Sequence, residues 1–482
     1  MNNKTSLTRQ LGLGAAIAVV AGSVIGSGIF IQPAAMAKAT GSPLVLLFVW
    51  VIAGCISMIG ASVNAEIGTM MPLTGGQYMY FKNIYGRFFA FLYGWSAFSV
   101  INTASVAAIA FIFAQYAGYF IDLPRFPEAT EQSFVLHIPY TGNFYPLKEI
   151  GTKLLAMFIV LLLTFTSSRS VKGSGGIQIF FTAMKVLAIL FLAGVIFFSG
   201  KGNWNNLVRH NAAVDVFSWT AILGIIGALS GAFMAFDGWN NIGFVSGELK
   251  NPQRNVPRAL FGGLAICMFL YILANEAYLY MLPVEQMKDS KLVATDAMLP
   301  VWGAAGASVI ALMVMISTFG AVNGNVLACA RVTYAMGAEK SFFAFTGKVH
   351  SRYHTPANAL WLHASLGCVY ILSGTFDMLA NMFVFTTWIF YFFAALGIFI
   401  LRRRMPHAER PFKAWGYPVL PALFILFAAF FVGLTLWNDI ELYRKGETQV
   451  VQSLLGLLIT ALGIPLYLLF RKRSTEKHEH DA

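Results

Sequence analysis

Long apolar runs repeat along the whole chain and limit its possible folds more than any other feature. A bilayer core requires about 20 apolar residues per helix, and a window of that length finds twelve such runs in the 482 residues. They lie near 10–38, 43–70, 87–120, 150–168, 174–199, 217–246, 258–282, 305–336, 357–375, 378–400, 418–437 and 449–470. Only 11% of the residues are charged, against about 25% in soluble domains. The sequence therefore predicts an all-α integral membrane protein with twelve transmembrane helices.

The basic residues lie mainly at the ends of the apolar runs, which is the positive-inside pattern. Of the 33 Lys and Arg residues, 22 fall on the side of the two termini, 10 fall on the other side, and Lys185 lies inside a run. We expect a multi-pass protein of the plasma membrane in which segments 1–9 and 471–482 are cytoplasmic and the longest loop, 121–148, is outside. Orientation accounts for the net charge of +12, so we expect no nucleic acid partner. The first run continues without a cleavage site, which favours a membrane helix over a signal peptide.

The positions of the cysteines and histidines do not predict a disulfide, a metal site or a catalytic site. Cys55, Cys267, Cys329 and Cys368 all lie in apolar runs without a CxxC pair, so we expect neither a disulfide nor a zinc site, and no metal or cofactor. His363 is the only histidine well inside a run. We expect it to serve helix packing, with a proton relay as the alternative. A serine protease needs a nucleophile beside a histidine base, and this pattern does not predict an enzyme.

Two runs contain interruptions that a continuous helix tolerates poorly. The first reads Gly-Ser-Val-Ile-Gly-Ser-Gly-Ile-Phe over 22–30, and the sixth reads Met-Ala-Phe-Asp-Gly-Trp-Asn-Asn over 234–241. Glycine loses the most backbone entropy in a helix, so we expect the helices to break around Gly26, Gly28 and Gly238. The alternative is that the glycines serve close helix packing. It explains the second interruption poorly, because a carboxylate near mid-membrane is costly unless it has a function.

The interrupted helices open two halves of five predicted helices each, at 10–200 and 216–400. Five is odd, so the second half enters the membrane in the opposite sense, and the two broken helices become partners across a pseudo-two-fold axis. A cytoplasmic loop and helices 11 and 12 follow at 401–470. This arrangement predicts a secondary transporter that works by alternating access, with a channel as a less favoured alternative.

Unwound backbone in a membrane is tolerated only where it lines a polar cavity, so the freed groups are candidate ligands. The N–H groups after Gly26 begin a half-helix, whose dipole favours a carboxylate. The carbonyls around Met234 and Asp237 end a half-helix and favour an ammonium. An α-amino acid presents these two charges a few ångströms apart, so the two breaks predict a site for the part that all amino acids share.

Lys185 lies about midway through the fifth run, where insertion of a lysine costs about 2.5–3.5 kcal/mol. It must therefore face the bundle and meet carbonyls or a carboxylate. Its ammonium could hold the position of a coupling sodium ion and make transport independent of sodium, or it could be a structural tether between helices. Glu66, near the cytoplasmic end of the second run, is expected to cap a helix or to form an ion pair.

Four short motifs run through most of the chain between about 9 and 400. They are Val24 to Phe30; Ala65 to Thr69 with Pro72, Gly75, Gly76 and Tyr78; Phe236 to Asn240 with Glu248 to Pro252; and Phe319 to Gly324 with Arg331. Together they resemble the motifs of the amino acid–polyamine–organocation superfamily, and the Gly-Ser-Gly form of the first is typical of its L-type amino acid transporter branch.

The resemblance implies a bundle of five plus five helices with discontinuous helices 1 and 6 and two additional C-terminal helices. It implies that the substrate carboxylate meets the backbone at Ser27 and Gly28. The amine would meet carbonyls of Val24, Met234 and Asp237. Trp239 and Asn240 would lie beside the substrate's side chain, Lys185 matches a lysine associated with sodium independence, and Ser317 would face the region where related transporters hold a second sodium ion.

Three departures from the pattern of the family bear on function. Met234 stands where the branch often has an aromatic residue that closes over the substrate. Asp237 occupies a position that is often small, and it would favour cationic substrates or proton effects, or simply pair with nearby groups. The outer loop 121–148 has no cysteine, so we expect no disulfide-linked heavy subunit.

The expected function is sodium-independent exchange of neutral L-amino acids by this antiporter in the lipid bilayer. The alternative is a proton-coupled symporter of amino acids or of amines and polyamines.

Overall fold

The computed structural model describes residues 11–71, 76–169, 174–208, 218–245 and 249–470. Several residues named above lie outside these ranges. They are Pro72, Gly75, Glu248 and the two terminal segments 1–9 and 471–482. The first repeat and the second repeat, predicted at 10–200 and 216–400, each fall largely within the described part, and their boundaries stay predictions.

Helices dominate the described residues, and a single short hairpin is the only sheet among them. The α-helices are α1 Leu13–Val24, α2 Gly28–Thr40, α3 Pro43–Met70, α4 Gln77–Tyr85, α5 Arg87–Ser96, α6 Asn102–Ala117, α7 Glu128–Ser133, α8 Ile150–Arg169, α9 Ser174–Phe198, α10 Asn205–Val208, α11 Trp219–Phe236, α12 Ile242–Val245, α13 Pro252–Met281, α14 Val284–Met287, α15 Val293–Ala338, α16 Ala357–Ser373, α17 Phe376–Arg404, α18 Val419–Arg444 and α19 Gln452–Ala461. The strands are β1 Leu136–Ile138 and β2 Gly142–Phe144, which pair antiparallel.

Ten helical segments of the described residues are long and apolar enough to cross a membrane, and the bent pair α1 and α2 makes an eleventh. The helix α16, at the ninth predicted run, is apolar but has only 17 residues. The all-α membrane fold is therefore confirmed, while the count of twelve stays a prediction. For reference, we number the helices at the twelve predicted runs as spans, in chain order. Span 1 is α1 with α2, 2 is α3, 3 is α5 through α6, 4 is α8, 5 is α9, 6 is α11, 7 is α13, 8 is α15, 9 is α16, 10 is α17, 11 is α18 and 12 is Gln452–Phe470.

The packing of the spans repeats between the two halves. Span 1 packs on span 7 as span 6 packs on span 2, and span 3 packs on span 10 as span 8 packs on span 5. Span 4 lies against span 3 as span 9 lies against span 8. Each contact has a counterpart five spans further along the chain, as an inverted repeat requires.

The same contacts separate the spans into two groups. Spans 1, 2, 6 and 7 pack on one another, spans 3, 4, 8 and 9 pack on one another, and spans 5 and 10 contact both groups. Because each group is held by its own packing, one group can move against the other without losing its internal contacts. The broken helices belong to the first group.

The long loop 121–148 folds back on the protein. The hairpin of β1 and β2 lies within it, and Asn143 donates its backbone N–H to the carbonyl of Gln449, ahead of span 12, at 2.9 Å. At the N-terminal end of span 4, the buried ammonium of Lys153 donates to the carbonyls of Tyr145 at 2.8 Å and Leu372 at 2.9 Å. These contacts join the loop to spans 4, 9 and 12.

A buried ion cluster closes the C-terminal end of span 2 and confirms that Glu66 forms ion pairs. Arg402 donates to both carboxylate oxygens of Glu66, at 2.9 and 2.7 Å, and Arg410 lies 3.3 Å from Oε1. The backbone N–H of Ala414 donates to Oε2 at 2.7 Å. The carboxylate is fully buried, so its charge depends on these partners, which join span 2 to span 10 and to the loop after it.

A second ionic contact joins α4 to the C-terminal end of span 8. Lys82 Nζ lies 2.8 Å from Glu339 Oε1, and the Tyr78 hydroxyl donates to Glu339 Oε2 at 3.1 Å. Burial raises the pKa of Tyr78 to about 12, so the hydroxyl keeps its proton at neutral pH and remains a donor to the carboxylate.

Candidate substrate site

Span 1 breaks where the glycine motif predicted. Helix α1 ends at Val24, helix α2 begins at Gly28, and the two axes are bent by 43°. Ser27 stands at the N-cap of α2, and no side-chain hydrogen bond caps the helix there. The first N–H groups of α2 are therefore available to a ligand, as at any uncapped helix N-terminus.

Span 6 breaks at the corresponding place in the second half. Helix α11 ends at Phe236, Asp237 is extended with ψ 161°, and a short 3-10 turn, Trp239–Asn241, follows. Gly238 has φ +105°, a backbone conformation that side-chain-bearing residues rarely adopt. This glycine lets the chain leave α11 and re-enter helical structure within a few residues.

The two breaks touch each other. A Cβ at Gly28 would lie 2.8 Å from Ala235 Cα, and a Cβ at Gly238 would lie 2.6 Å from the carbonyl oxygen of Ser23. The hydroxyl of Tyr271 on span 7 lies 2.9 Å from the carbonyl oxygens of both Val24 and Ala235. The glycines thus allow a close approach of the two backbones that any side chain would prevent.

A cavity of about 50 Å³ opens beside the two breaks. Residues of spans 1, 3, 6, 8 and 10 line it: Ser23, Val24, Gly26, Ser27, Gly28, Ile101, Asn102, Ser105, Ile109, Met234, Asp237, Gly238, Asn241, Asn325, Cys329 and Phe383. It therefore brings together all the residues predicted to bind the carboxylate and the amine.

The backbone dipoles around the cavity have opposite signs. The N-terminus of α2 carries partial positive charge and the C-terminus of α11 carries partial negative charge. The carbonyl of Met234 accepts only a long bond of 3.4 Å from the N–H of Asp237. A zwitterion placed between these ends would meet complementary charge at both of its ionic groups.

Asp237 begins a chain of hydrogen bonds that runs away from the cavity. Its Oδ1 accepts from the Tyr391 hydroxyl on span 10 at 2.6 Å. That hydroxyl accepts from Asn240 Nδ2 at 2.7 Å, and Asn240 Oδ1 accepts from Asn64 Nδ2 on span 2 at 2.5 Å. The pairing of Asp237 with nearby groups, one of the alternatives expected from sequence, is thus present, and its partner is a tyrosine rather than a basic residue.

Trp239 and Asn240 line a second cavity instead of the first. This cavity has a volume of about 20 Å³ and also contacts Asn64, Gln77 and Tyr80. The indole of Trp239 is buried against Tyr391, with 5.1 Å between ring centroids. The structure therefore places these two residues beyond the span 6 break, in a cavity of their own, away from the position beside the substrate's side chain that the resemblance implied.

The side chain of Lys185, on span 5, reaches the C-terminal end of α1. Its side chain is 1% exposed, and its ammonium donates to the carbonyl of Gly22 at 3.0 Å. Ser317 on span 8 is also buried, and its hydroxyl has no hydrogen-bond partner among the described residues. Neither side chain lines the 50 Å³ cavity, so both would act on the site through the backbone of span 1 or from outside it.

The sequence interpretation missed the contribution of span 3. A π-helical turn, Ala97–Ile101, joins α5 to α6, and such turns are frequent at functional sites. It is followed by Asn102 and Ser105, which line the cavity. The only sequence signal was the cluster of small polar residues Asn102, Thr103 and Ser105 in this run, which also fits ordinary helix packing.

The structure also accounts for His363. Its Nδ1 lies 3.0 Å from the Thr103 hydroxyl and its Nε2 lies 2.8 Å from the Thr333 hydroxyl. Both ring nitrogens are therefore occupied within the packing of spans 3, 8 and 9, as expected for a helix-packing residue. Across the described ranges, no group of three or more His, Cys, Asp or Glu side chains is placed to hold a metal ion.

Comparison with known proteins matches residues 11–451 to the amino acid permease family. The chain belongs to that family. The serine/threonine exchanger SteT of Bacillus subtilis is 29% identical over 471 residues, which cover 97% of this chain and 98% of SteT. The large neutral amino acids transporter small subunit 2 of Homo sapiens is 31% identical over 470 residues, 96% of this permease and 81% of the human protein.

The b(0,+)-type amino acid transporter 1 of Oryctolagus cuniculus is 31% identical over 414 residues, 85% of this permease and 79% of the rabbit protein. These relatives confirm the L-type branch that the four motifs indicated. They are transporters, as the broken-helix pattern predicted, and they are named for different substrates.

Proposed function

We propose that this permease exchanges neutral L-amino acids across the membrane by alternating access and without sodium. The observation that carries the proposal is the single cavity where the N-terminus of α2 meets the C-terminus of α11. Membership of the permease family supports amino acid transport, and the two separately packed groups of spans supply bodies that can rock against each other.

The carboxylate of the substrate binds the backbone N–H groups at Ser27 and Gly28, and its ammonium binds carbonyls of Val24, Met234 and Asp237. All five residues line the cavity. Met234 also faces the substrate from span 6, and its sulfur accepts from Gln32 Nε2 at 3.0 Å. Trp239 and Asn240 form the cytoplasmic floor below the site, since they line the adjoining cavity.

Sodium independence is assigned to Lys185. Its side-chain nitrogen donates to the carbonyl of Gly22 and thus stands at the C-terminal end of α1, where the helix dipole favours a cation. The buried hydroxyl of Ser317 faces the region of a second ion in this proposal. Replacement of sodium by choline should leave uptake unchanged.

The protein acts in the plasma membrane with both termini in the cytoplasm, because 22 basic residues lie on that side and 10 on the other. It acts without a disulfide-linked subunit, since none of its four cysteines lies in the outer loop 121–148.

Purified protein in liposomes tests the exchange. Uptake of labelled amino acid should require unlabelled amino acid inside the vesicles and should not respond to a pH gradient. Uptake into empty vesicles driven by a pH gradient would replace exchange with proton symport, in which Asp237 would be the first residue to examine. Ion currents far above carrier turnover would indicate a channel.

A further inference from the structure

The wall of the cavity outside the two helix breaks is rich in neutral polar groups. Asn102 and Ser105 of span 3, Asn325 of span 8 and Asn241 after the span 6 break all line it. Within the described ranges, the side chains of these four residues have no hydrogen-bond partner in the protein. Their donors and acceptors are therefore free to bind a ligand.

The π-helical turn of span 3 sets the positions of the first two groups. Ile101 ends the turn and Asn102 begins α6, and both line the cavity together with Ser105 and Ile109. Residues 101, 105 and 109 follow one another at helical i+4 spacing and form one face. Thr103 points elsewhere, because its hydroxyl bonds the ring of His363.

The cavity is small. A cavity needs about 10–15 Å³ to hold one buried water. The cavity of about 50 Å³ therefore holds roughly four groups of that size. The ammonium, carboxylate and α-carbon of an amino acid fill most of that space. Met234, Ile109 and Phe383 also line the cavity, so a long or aromatic side chain would press against these residues.

We propose that the substrates are small amino acids whose neutral side chains form hydrogen bonds, such as serine, threonine and asparagine. Asn102 and Ser105 form hydrogen bonds with those side chains. The proposal rests on the proposed exchange function and specifies its substrate class. An amide both donates and accepts, so Asn102 suits a hydroxyl or another amide. Sites built to bond a substrate hydroxyl discriminate against analogues that lack it more strongly than sites that only measure volume.

Charged side chains are disfavoured by the same wall. Asp237 is the only acidic or basic residue of the lining, and its Oδ1 already accepts from Tyr391. The aliphatic part of a lysine or arginine substrate would also exceed the space left beside Met234. The expected order of affinity is serine, threonine and asparagine first, then alanine, with leucine, phenylalanine and arginine last.

The test uses the full-length protein in liposomes loaded with unlabelled L-serine, with labelled L-serine outside as the probe. Serine, threonine and asparagine should inhibit uptake at concentrations at least tenfold lower than leucine or arginine. Efficient exchange of leucine with weak exchange of serine would overturn this inference while leaving the exchange function intact. Absence of exchange with every amino acid would instead refute the exchange function itself.

Substitutions in span 3 test whether Asn102 and Ser105 bind the side chain of the substrate. Asn102→Ala and Ser105→Ala should each weaken serine about three- to tenfold, the effect of one lost neutral hydrogen bond, and leave alanine nearly unchanged. The matched control is Ser99→Ala, because Ser99 lies in the same π-helical turn but bonds the carbonyl of Trp95 and does not line the cavity. If serine and alanine weaken equally in Asn102→Ala and Ser105→Ala, these side chains do not bind the side chain of the substrate.

Discussion

Lys185→Met separates the transport role of the lysine from a structural one. The substitution keeps an unbranched side chain of similar length in a position that is 1% exposed and removes the ammonium that donates to the carbonyl of Gly22 at 3.0 Å. Loss of a hydrogen bond to a charged group costs about 1.5–3 kcal/mol. Removal of a lysine from mid-membrane recovers about 2.5–3.5 kcal/mol of insertion cost. The two contributions nearly cancel, so we expect the variant to insert and fold.

Transport should respond differently, because the ammonium acts on the end of α1 next to the break. If the bond to Gly22 is made in one of the two access states and lost in the other, its removal changes their ratio by about 10- to 150-fold. We therefore expect exchange by Lys185→Met to fall at least tenfold. A small residue such as alanine would add a cavity and make the result harder to interpret.

The assay is exchange in proteoliposomes, normalised to the amount of folded protein by size-exclusion chromatography and thermal melting. Lys153→Met is the matched control, since Lys153 is also a buried lysine that binds carbonyls but lies at the N-terminal end of span 4, outside the cavity. It should lower the melting temperature with little effect on substrate affinity. Exchange at the native rate by Lys185→Met, with folding unchanged, would reduce Lys185 to a tether.

Three further substitutions test the fold around the site. Gly238→Ala places a Cβ 2.6 Å from the Ser23 carbonyl at φ +105°, so it should abolish exchange and lower stability by about 1–3 kcal/mol; native exchange would show that the breaks can separate without loss of function. Glu66→Gln breaks a buried ion cluster and should destabilise by about 3–5 kcal/mol, which a melting curve measures; an unchanged melting temperature would contradict that role. His363→Gln should leave the pH profile of exchange unchanged, because both ring nitrogens serve packing; a shifted profile would restore the proton relay.

The fold was predictable from the sequence because membrane insertion imposes a length rule on every helix. The apolar runs and the positions of Lys and Arg gave the spans, and the glycines around Gly26 and Gly238 gave both breaks. Span 9 was the hardest to delimit, since α16 is only 17 residues long. The predicted run 305–336 also missed the start of α15, where Gly303 turns the chain with φ 61°.

The side-chain surroundings of the site were less predictable, because they depend on which helix faces come together. Asp237 gave a clear signal in the sequence, but its partner Tyr391 is 154 positions away, and nothing in either motif joins them. Trp239 and Asn240 come within three residues of Asp237, yet the turn at Gly238 directs them to the second cavity. The π-helical turn of span 3 leaves no mark in a hydropathy pattern, since it changes the helix register without changing its composition.

The hydroxyl of Tyr271 shows why two broken helices are stable in a membrane and still able to bind a ligand. It lies 2.9 Å from the carbonyl oxygens of Val24 and Ala235, but a hydroxyl has a single proton to donate. The two carbonyls therefore share one donor and retain free acceptor capacity. An ammonium carries three donors and can supply what the tyrosine cannot. Tyr271 thus holds the two breaks together without a ligand, and in the site we propose the substrate ammonium supplies a further donor to the carbonyl of Val24, which lines the cavity.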